Sequence, residues 1–322
     1  MKLLVIGGAG FLGANLVRRC LAESAATVTV FDSLDPLYGS SPECLEGLGE
    51  RVRFVQGDIG DPDALAEVVT GQSVIFNCAG QTSHPLSMEK PLLDAEVNCL
   101  GNLTLLETVR QRNPQAVVVF ASSSTVVGRT GSDLVDETHS ERPSDIYSAN
   151  KGVAEKYYQI FHEVYDLKTV SLRLPNLFGP YGKANPQFGF INYFISLANA
   201  GKPITVFGPG QQKRNVLFVE DAAEILWQAS NAPQLFGATF FATGDEHPTV
   251  QEIAQAIDAC FEGGGVEAVD WPENRRRIDV GNVELSSKRL REITGWHPRF
   301  TLKTGLQRTK DRLACSDGGA TP

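Results

Sequence analysis

The opening of the chain restricts its fold more than any other stretch. A short run, Lys2 to Ile6, apolar after its lysine, empties into Gly7-Gly8-Ala9-Gly10-Phe11-Leu12-Gly13, and Leu12, Leu16, Val17 and Leu21 then recur at helical spacing. The pattern reads as strand, glycine turn, helix. Glycine supplies the φ freedom and close backbone approach of such a turn, and the helix behind it presents unpaired N–H groups to an anion. The spacing G-x-x-G-x-x-G differs from the commoner G-x-G-x-x-G fingerprint, but its place directly after a strand is the one that cradles a pyrophosphate. Gly7, Gly10, Phe11, Leu12 and Gly13 are therefore candidate dinucleotide contacts.

The following elements fit that opening. A second strand, Ala26 to Phe31, ends in Asp32. A carboxylate about 20 residues beyond the glycines suits a ribose 2′-hydroxyl and repels a 2′-phosphate, so NAD is expected rather than NADP. Val52 to Gln56 leads to Asp58 and Ile59, placed for the adenine edge, although Asp58 could instead cap a helix before Pro62. Ser73 to Asn77 runs into Cys78-Ala79-Gly80-Gln81, where Ala79 and Gly80 would let the backbone pass close to a cofactor. Leu92 to Arg110 reads as one long helix interrupted by Asn98 and Gly101 near its apolar side. A buried amide such as Asn98 must find polar partners. Ala116 to Ala121 is apolar throughout, as in a parallel sheet covered on both faces, and delivers Ser122-Ser123-Ser124-Thr125 to the strand end where open α/β sheets bind ligands.

Tyr147 and Lys151 stand four apart at the head of an apolar-striped segment, Val153, Tyr157, Ile160, Phe161 and Val164. On a helix they share one face, about one turn apart. An ammonium near a phenol favours the phenolate, so a group that ordinarily titrates near pH 10 could serve as a base nearer neutrality. A surface tyrosine beside an ordinary lysine has the same spacing; the surrounding elements give the pair its weight.

Composition sets outer limits. The 322 residues, 42% hydrophobic, can bury a full core and divide into a larger and a smaller domain. A net charge of -9 disfavours nucleic acid or an anionic membrane as partner, while Arg275, Arg276 and Arg277 form a local cluster able to hold a phosphorylated small molecule. Six cysteines without C-x-x-C or metal-ligand spacing, and five scattered histidines, predict reduced thiols, no metal and a cytoplasmic protein. No signal peptide is expected, and no apolar run approaches the about 20 residues that span a bilayer. In the second half, Thr169 to Leu174 reads as a strand, Gly201 to Gly210 as a hairpin strand bounded by turns, Arg214 to Asp221 as a helix start, and Thr239 to Ala242 as a strand. Thr249 with Glu252 forms a capping box, and Cys315 to Pro322 is expected to be a disordered tail.

Taken in order, the glycine turn, Asp32, Asp58, Ser123, Tyr147 and Lys151 resemble the extended short-chain dehydrogenase/reductase superfamily, and within it the NAD-dependent nucleotide-sugar epimerases and dehydratases. The resemblance spans about residues 1–310. Arg173-Leu-Pro-Asn176-Leu-Phe-Gly-Pro resembles the family's R-x-x-N-x-Y/F-G-P segment, and Arg214-Asn-Val-Leu-Phe-Val-Glu-Asp its R-D-F-x-x-V-x-D segment. Leu290-Arg-Glu-Ile-Thr-Gly-Trp-His-Pro298 with Thr304-Gly-Leu306 resembles its L-G-W-x-P…G-L ending. The implied fold is α/β: a Rossmann-type doubly wound parallel sheet from residues 1–175 and 215–245, with a smaller α/β C-terminal substrate domain from 176–214 and 246–314. The resemblance implies Tyr147 as base, Lys151 on the nicotinamide ribose lowering the tyrosine pKa, and Ser123 on the reacting sugar hydroxyl. Asn176, Arg214 and, of the three arginines, Arg276 would bind the substrate diphosphate; His84, Ser124 and Val206 are further substrate candidates. The family also implies a homodimer through the helices at 92–112 and 146–165, with Tyr157, Tyr158 and Phe161 either in that interface or covering the sheet.

By the same resemblance, the residues after the serine separate the chemistries. The 4,6-dehydratases carry Asp-Glu there, because loss of water across C5 and C6 needs a carboxylic acid for the leaving hydroxyl and a carboxylate for the C5 proton. Here stand Ser124 and Thr125, and a glucuronate decarboxylase would carry glutamate where Thr125 is. What remains needs only base and cofactor: inversion at C4 of a nucleotide-diphosphate hexose or hexuronate through a transient ketone. A 2-epimerase, a reductase of a 4-keto sugar and a non-catalytic dinucleotide-binding scaffold are the alternatives. Asp32 counts against an NADPH-using reductase, and the intact serine, tyrosine and lysine count against a scaffold. Val127 in place of the family's tyrosine and Asn215 in place of its aspartate are departures.

Overall fold

The computed structural model describes residues 1–317 other than 24, 132 and 133. Seven strands form the main sheet: β1 (Lys2–Ile6), β2 (Thr27–Asp32), β3 (Val52–Gln56), β4 (Val74–Asn77), β5 (Val117–Ser123), β6 (Lys168–Leu174) and β7 (Thr239–Phe241). Their order is β7-β6-β5-β4-β1-β2-β3, and every pairing is parallel. The chain winds outward from β1 to β3, crosses back, and winds the other way from β4, giving the doubly wound sheet. The crevice at the carboxyl ends of β1 and β4 is the switch point where such sheets bind ligands.

Period-2 alternation explains why β1 is apolar at every buried position. Leu3 and Val5 join one core with Leu16 and Val17 of α1 (Phe11–Leu21), while Leu4 and Ile6 join the opposite core with Leu65, Leu105 and Tyr158. Both faces are covered, so a polar side chain at any of these positions would need a buried partner. A third core gathers Phe178, Ile191, Phe194, Ile204, Val216, Ile253 and Leu306 beyond the sheet's carboxyl edge.

Several expectations are corrected here. The long helix of 92–110 is three pieces: Pro91–Ala95, a π-helical turn Glu96–Leu100, and Gly101–Arg112. The wider turn accommodates an extra residue, a device found at functional sites, and it carries the wholly buried Asn98. Gly101 is required by packing, since a Cβ there would lie 2.7 Å from Ile59 Cγ2. The 201–210 hairpin does not form. Ile204–Phe207 pairs in parallel with Val266–Val269 across the intervening helix Val250–Phe261. Gly201, Gly208 and Gly210 do adopt positive φ, but turn chemistry reports a change of direction and not the strand's partner. Arg214 to Asp221 begins with a strand, Val216–Phe218, before the helix Val219–Ser230. The capping box of Thr249 and Glu252 is present. The final helix, Leu302–Asp317, includes Cys315, so the expected tail is helical as far as Asp317; residues 318–322 lie outside the described residues.

Two helices bring the chemistry together: α2 (His84–Glu89) and α3 (Ile146–Tyr165), which pack on each other. On α3, Tyr158 and Phe161 face the sheet and Tyr157 packs partly against the same core. Val153, Ile160 and Val164 are the outward apolar positions. No described helix is long and apolar enough to cross a membrane.

Candidate active site

The cleft at the β1–β4 switch point is shaped by close-packed backbone. Gly7 has φ +75°, and a Cβ on it would lie 2.6 Å from Ala79 N; a Cβ on Gly13 would lie 2.1 Å from Gly7 O. Gly10 caps α1, and Phe11 and Leu12 are its first helical residues; Leu12 packs against the core, which leaves its backbone N–H to serve a ligand. Asp32 borders the cleft, and its carboxylate accepts from Ala9 N and Leu34 N at 2.9 Å each, so it also holds the glycine turn in place. Asp58 and Ile59 line the same cleft. Asp58 accepts from Gly60 N at 2.7 Å and is not the helix cap; Asp61 is, bonding Asp63 N and Ala64 N. Tyr38 and Ser40 complete this wall and carry no motif by which the sequence could have shown them.

Asn98 tests what the cleft can hold. Its Nδ2 donates to Gln81 O at 2.8 Å and to Asp94 Oδ2 at 3.1 Å, while its Oδ1 is buried without a partner. Asp94, itself buried, also accepts from Gln81 Nε2 at 2.7 Å and Asn150 Nδ2 at 2.8 Å. The amide is thereby fixed with its oxygen beside Gly80. A Cβ on Gly80 would lie 2.7 Å from that oxygen and 3.0 Å from Lys151 Nζ, so the glycine keeps space open beside both. An unpaired acceptor next to an ammonium suits a ribose diol, whose hydroxyls donate and accept together. The residues present therefore fit a dinucleotide.

Asp145 caps α3 by accepting from Ser148 N at 2.8 Å, which fixes the helix head that carries Tyr147 and Lys151. Ser123 lies at the end of β5, its hydroxyl 2.8 Å from Thr125 Oγ1, to which Ser148 Oγ also donates at 2.8 Å. The Ser123 hydroxyl pulls the Tyr147 pKa down, but burial outweighs this and pushes the phenol above its ordinary value. The expectation that Lys151 lowers it is not met in the protein by itself. Lys151 Nζ is 6.0 Å from the Tyr147 ring centroid, lies over Phe120 at 4.8 Å and donates to Ala121 O at 3.3 Å. Burial lowers the Lys151 pKa to about 8, with Asp94 the main opposing influence. Lys151 is thus mostly charged at neutral pH.

A second cleft opens beside Tyr147, lined by His84, Ser124, Thr125, Asn176, Arg214 and Arg275 together with Phe190, Tyr193, Phe207 and Trp271. Three expected substrate residues, Ser123, Val206 and Arg276, are absent from its lining. Val206 is wholly buried in the third core, and its strand neighbours Thr205 and Phe207 face the cleft instead, as alternation along a strand requires. Of the three arginines Arg275 lines the cleft, whereas Arg276 is exposed away from it; the phase of the short helix Glu273–Ile278 decides this. Arg214 is held by Asp279 Oδ1 at 2.6 Å and donates to Lys213 O and Gly281 O. Asn176 Nδ2 donates to Asn215 O at 3.0 Å. Asn215 is a structural tie, bonding Gly244 N and O at 2.9 Å each, and Val127 is buried with Val135, Phe241, Val283 and Leu285. The sequence reading missed Asp145 and the aromatic lining; an aspartate just before a helical stripe is a cap signal that could have shown the first.

Residues 3–239 match the NAD dependent epimerase/dehydratase family. The chain belongs to that family. As a member, its cofactor is NAD and its chemistry that of nucleotide sugars. The UDP-glucose 4-epimerase of Mycolicibacterium smegmatis is 32% identical over 96% of this chain and 97% of its own. The CDP-paratose 2-epimerase of Salmonella typhi is 27% identical over 97% and 98% of the two chains, and proteins named dTDP-glucose 4,6-dehydratase reach 29% and 31%. Among solved structures, Thermus thermophilus UDP-glucose 4-epimerase in complex with NAD superposes with a TM-score of 0.87, at 28% identity and full coverage of both chains. In this epimerase/dehydratase Tyr147 packs against His84, which lines the second cleft.

Proposed function

We propose that the chain is a nucleotide-sugar epimerase that inverts C4 of an NDP-hexose or NDP-hexuronate through a transient 4-keto sugar. The observation that carries the reading is Tyr147, its ring packed edge-on against His84 of the second cleft and its pKa pulled down by Ser123, with Ser124 and Thr125 as the side chains that line that cleft. Neither is an acid or base that could expel a hydroxyl from C6. Gly7, Gly10, Gly13, the N–H groups of Phe11 and Leu12, Asp32, Asp58, Ile59, Ala79, Gly80, Asn98 and Lys151 would hold NAD. When bound, NAD supplies reversible acceptance of hydride, with a positive ring that favours the Tyr147 phenolate. Tyr147 takes the C4 hydroxyl proton, and Ser123 holds the oxygen as the ketone forms. After the sugar turns over and C4 takes hydride back on its opposite face, Tyr147 returns the proton to the C4 oxygen. Lys151, charged at neutral pH, would hold the nicotinamide ribose. Asn176, Arg214 and Arg275 would bind the diphosphate, Arg214 by exchanging Asp279 for a phosphate oxygen. The apolar outward faces of α3 and of the 91–112 segment, with Leu92, Leu100, Val153, Ile160 and Val164 exposed, support pairing of two copies there, which light scattering would test.

Incubation with UDP-, GDP-, CDP- and dTDP-linked hexoses and hexuronates without added cofactor, followed by NMR, tests the reaction. The expected result is inversion at C4, with Tyr147→Phe slower by about 10³-fold. Inversion at C2 would establish the 2-epimerase, and turnover only of a 4-keto sugar with added NADH or NADPH would establish a reductase.

A further inference from the structure

C4 inversion leaves one pair of groups beside Tyr147 without a task. His84, the first residue of α2, places Nδ1 2.6 Å from Asp145 Oδ2, and its ring meets the Tyr147 ring edge-on, with centroids 4.8 Å apart at 75°. Asp145 is buried, which pushes its carboxyl up, but the bonds from His84 and Ser148 more than reverse this and hold it below its usual range. A carboxylate on Nδ1 fixes the tautomer in which Nδ1 carries hydrogen and Nε2 a lone pair. Nε2 has no partner among the described hydrogen bonds, the ring is 36% exposed, and His84 and Asp145 line the same cleft as Ser124 and Thr125. Base, orienting carboxylate and open cleft are the elements of an acid–base centre. Inversion at C4 has no use for it, because Tyr147 returns the proton it took.

We propose that His84, oriented by Asp145, is a second acid–base residue that acts on a carbon next to the transient ketone. The inference rests on the reading that a 4-keto sugar forms in this cleft. A ketone at C4 acidifies the hydrogens on C3 and C5. Nε2 of His84 takes one of them as a proton; the C–H electron pair becomes the C=C bond of an enolate, and the carbonyl oxygen takes up the charge beside Tyr147 and Ser123. Nε2–H exchanges with water at the exposed ring edge and returns a proton to the same carbon, restoring the ketone. Return to the same face exchanges the hydrogen, and return to the other face inverts C3 or C5. No electrons are gained or lost, and no co-reactant is consumed.

The test supplies dTDP- and UDP-linked 4-keto hexoses directly to the NAD-loaded enzyme in D2O, so that hydride removal is not required, and follows the C3 and C5 protons by NMR. The wild type should replace one of them with deuterium at least about 10²-fold faster than His84→Gln. Asp145→Asn keeps an acceptor for Ser148 N–H and should slow exchange about tenfold while affinity for the ketone is unchanged, a split that a purely structural role would not give. Thermal melts and retained NAD check that both variants fold. Exchange in His84→Gln at the wild-type rate, or none above buffer in the wild type, overturns the proposal. The hexose panel reads the other question: C4 inversion without exchange into the 4-keto sugar sinks the second base alone, whereas exchange without hexose turnover sinks the C4 epimerase alone.

Discussion

The cleft at the β1–β4 switch point and the cleft beside His84 are built in opposite ways. In the first, close-packed backbone sets the shape, and Gly7, Gly13 and Gly80 each hold a place where a Cβ would come within 2.7 Å of a neighbour. On the substrate side the walls are long side chains, among them Phe190, Phe207, Arg214, Trp271 and Arg275, drawn from separate segments. A wall of backbone cannot change without moving the sheet it belongs to. Side chains can be exchanged while the fold stands, so one scaffold serves many sugars. The difference teaches where shared chemistry and individual specificity reside in this protein.

The sharpest way to break the comparison is Gly13→Ala. Its Cβ would meet Gly7 O at 2.1 Å and Gly8 Cα at 2.7 Å, both backbone, so the turn itself must shift. Loss of bound NAD and a stability cost of about 3 kcal/mol or more are expected, read by absorbance of the purified protein and by denaturant melts. Normal NAD content would show that the turn can yield.

Lys151→Met comes next. Burial takes this lysine from an ordinary 10.5 to about 8. Below pH 8 the ammonium is charged whether folded or unfolded, and its burial costs on the order of 3 kcal/mol. Between pH 8 and 10.5 the unfolded chain holds a proton that the folded chain has released, so stability rises with pH and the cost disappears. The methionine variant, with no charge to bury, should therefore exceed the wild type in stability at pH 7 and match it near pH 10.5, while turnover is lost. Equal melts at pH 7 would mean the site solvates the ammonium better than its burial suggests.

On the substrate side smaller effects are expected. Arg275→Ala should raise KM about tenfold with NAD content intact, as loss of one charge-assisted contact does, and Arg276→Ala should stay within about twofold. The reverse pattern would place Arg276 in the cleft. Val206→Thr should cost about 1–2 kcal/mol for a buried hydroxyl and leave KM unmoved, since the side chain points into the core. A change in KM would break the assignment of Thr205 and Phe207 to the cleft.

Much of the cofactor half was readable beforehand because its signals are local. Val52–Gln56 has the bounds expected from the sequence, and Gly7 to Gly13 declare a turn whatever lies elsewhere. The substrate half yielded less. Its strand Ile204–Phe207 pairs with residues more than sixty positions later, and no turn rule carries that information. Position on a face was equally hidden: Arg275 and Arg276 are alike as residues, and only the phase of a one-and-a-half-turn helix separates them.

By itself the sequence determined the glycine cradle, the acidic end of β2 and the placing of Tyr147 and Lys151 one turn apart on a helix, because each depends on turn geometry or spacing within a few residues. Tertiary structure alone decided that His84 and Asp145, 61 residues apart, share a hydrogen bond beside the phenol. It also decided that the phenol is pushed up and the ammonium down. Those properties depend on which groups surround a side chain and how much water they exclude, and packing of distant segments is what sets both.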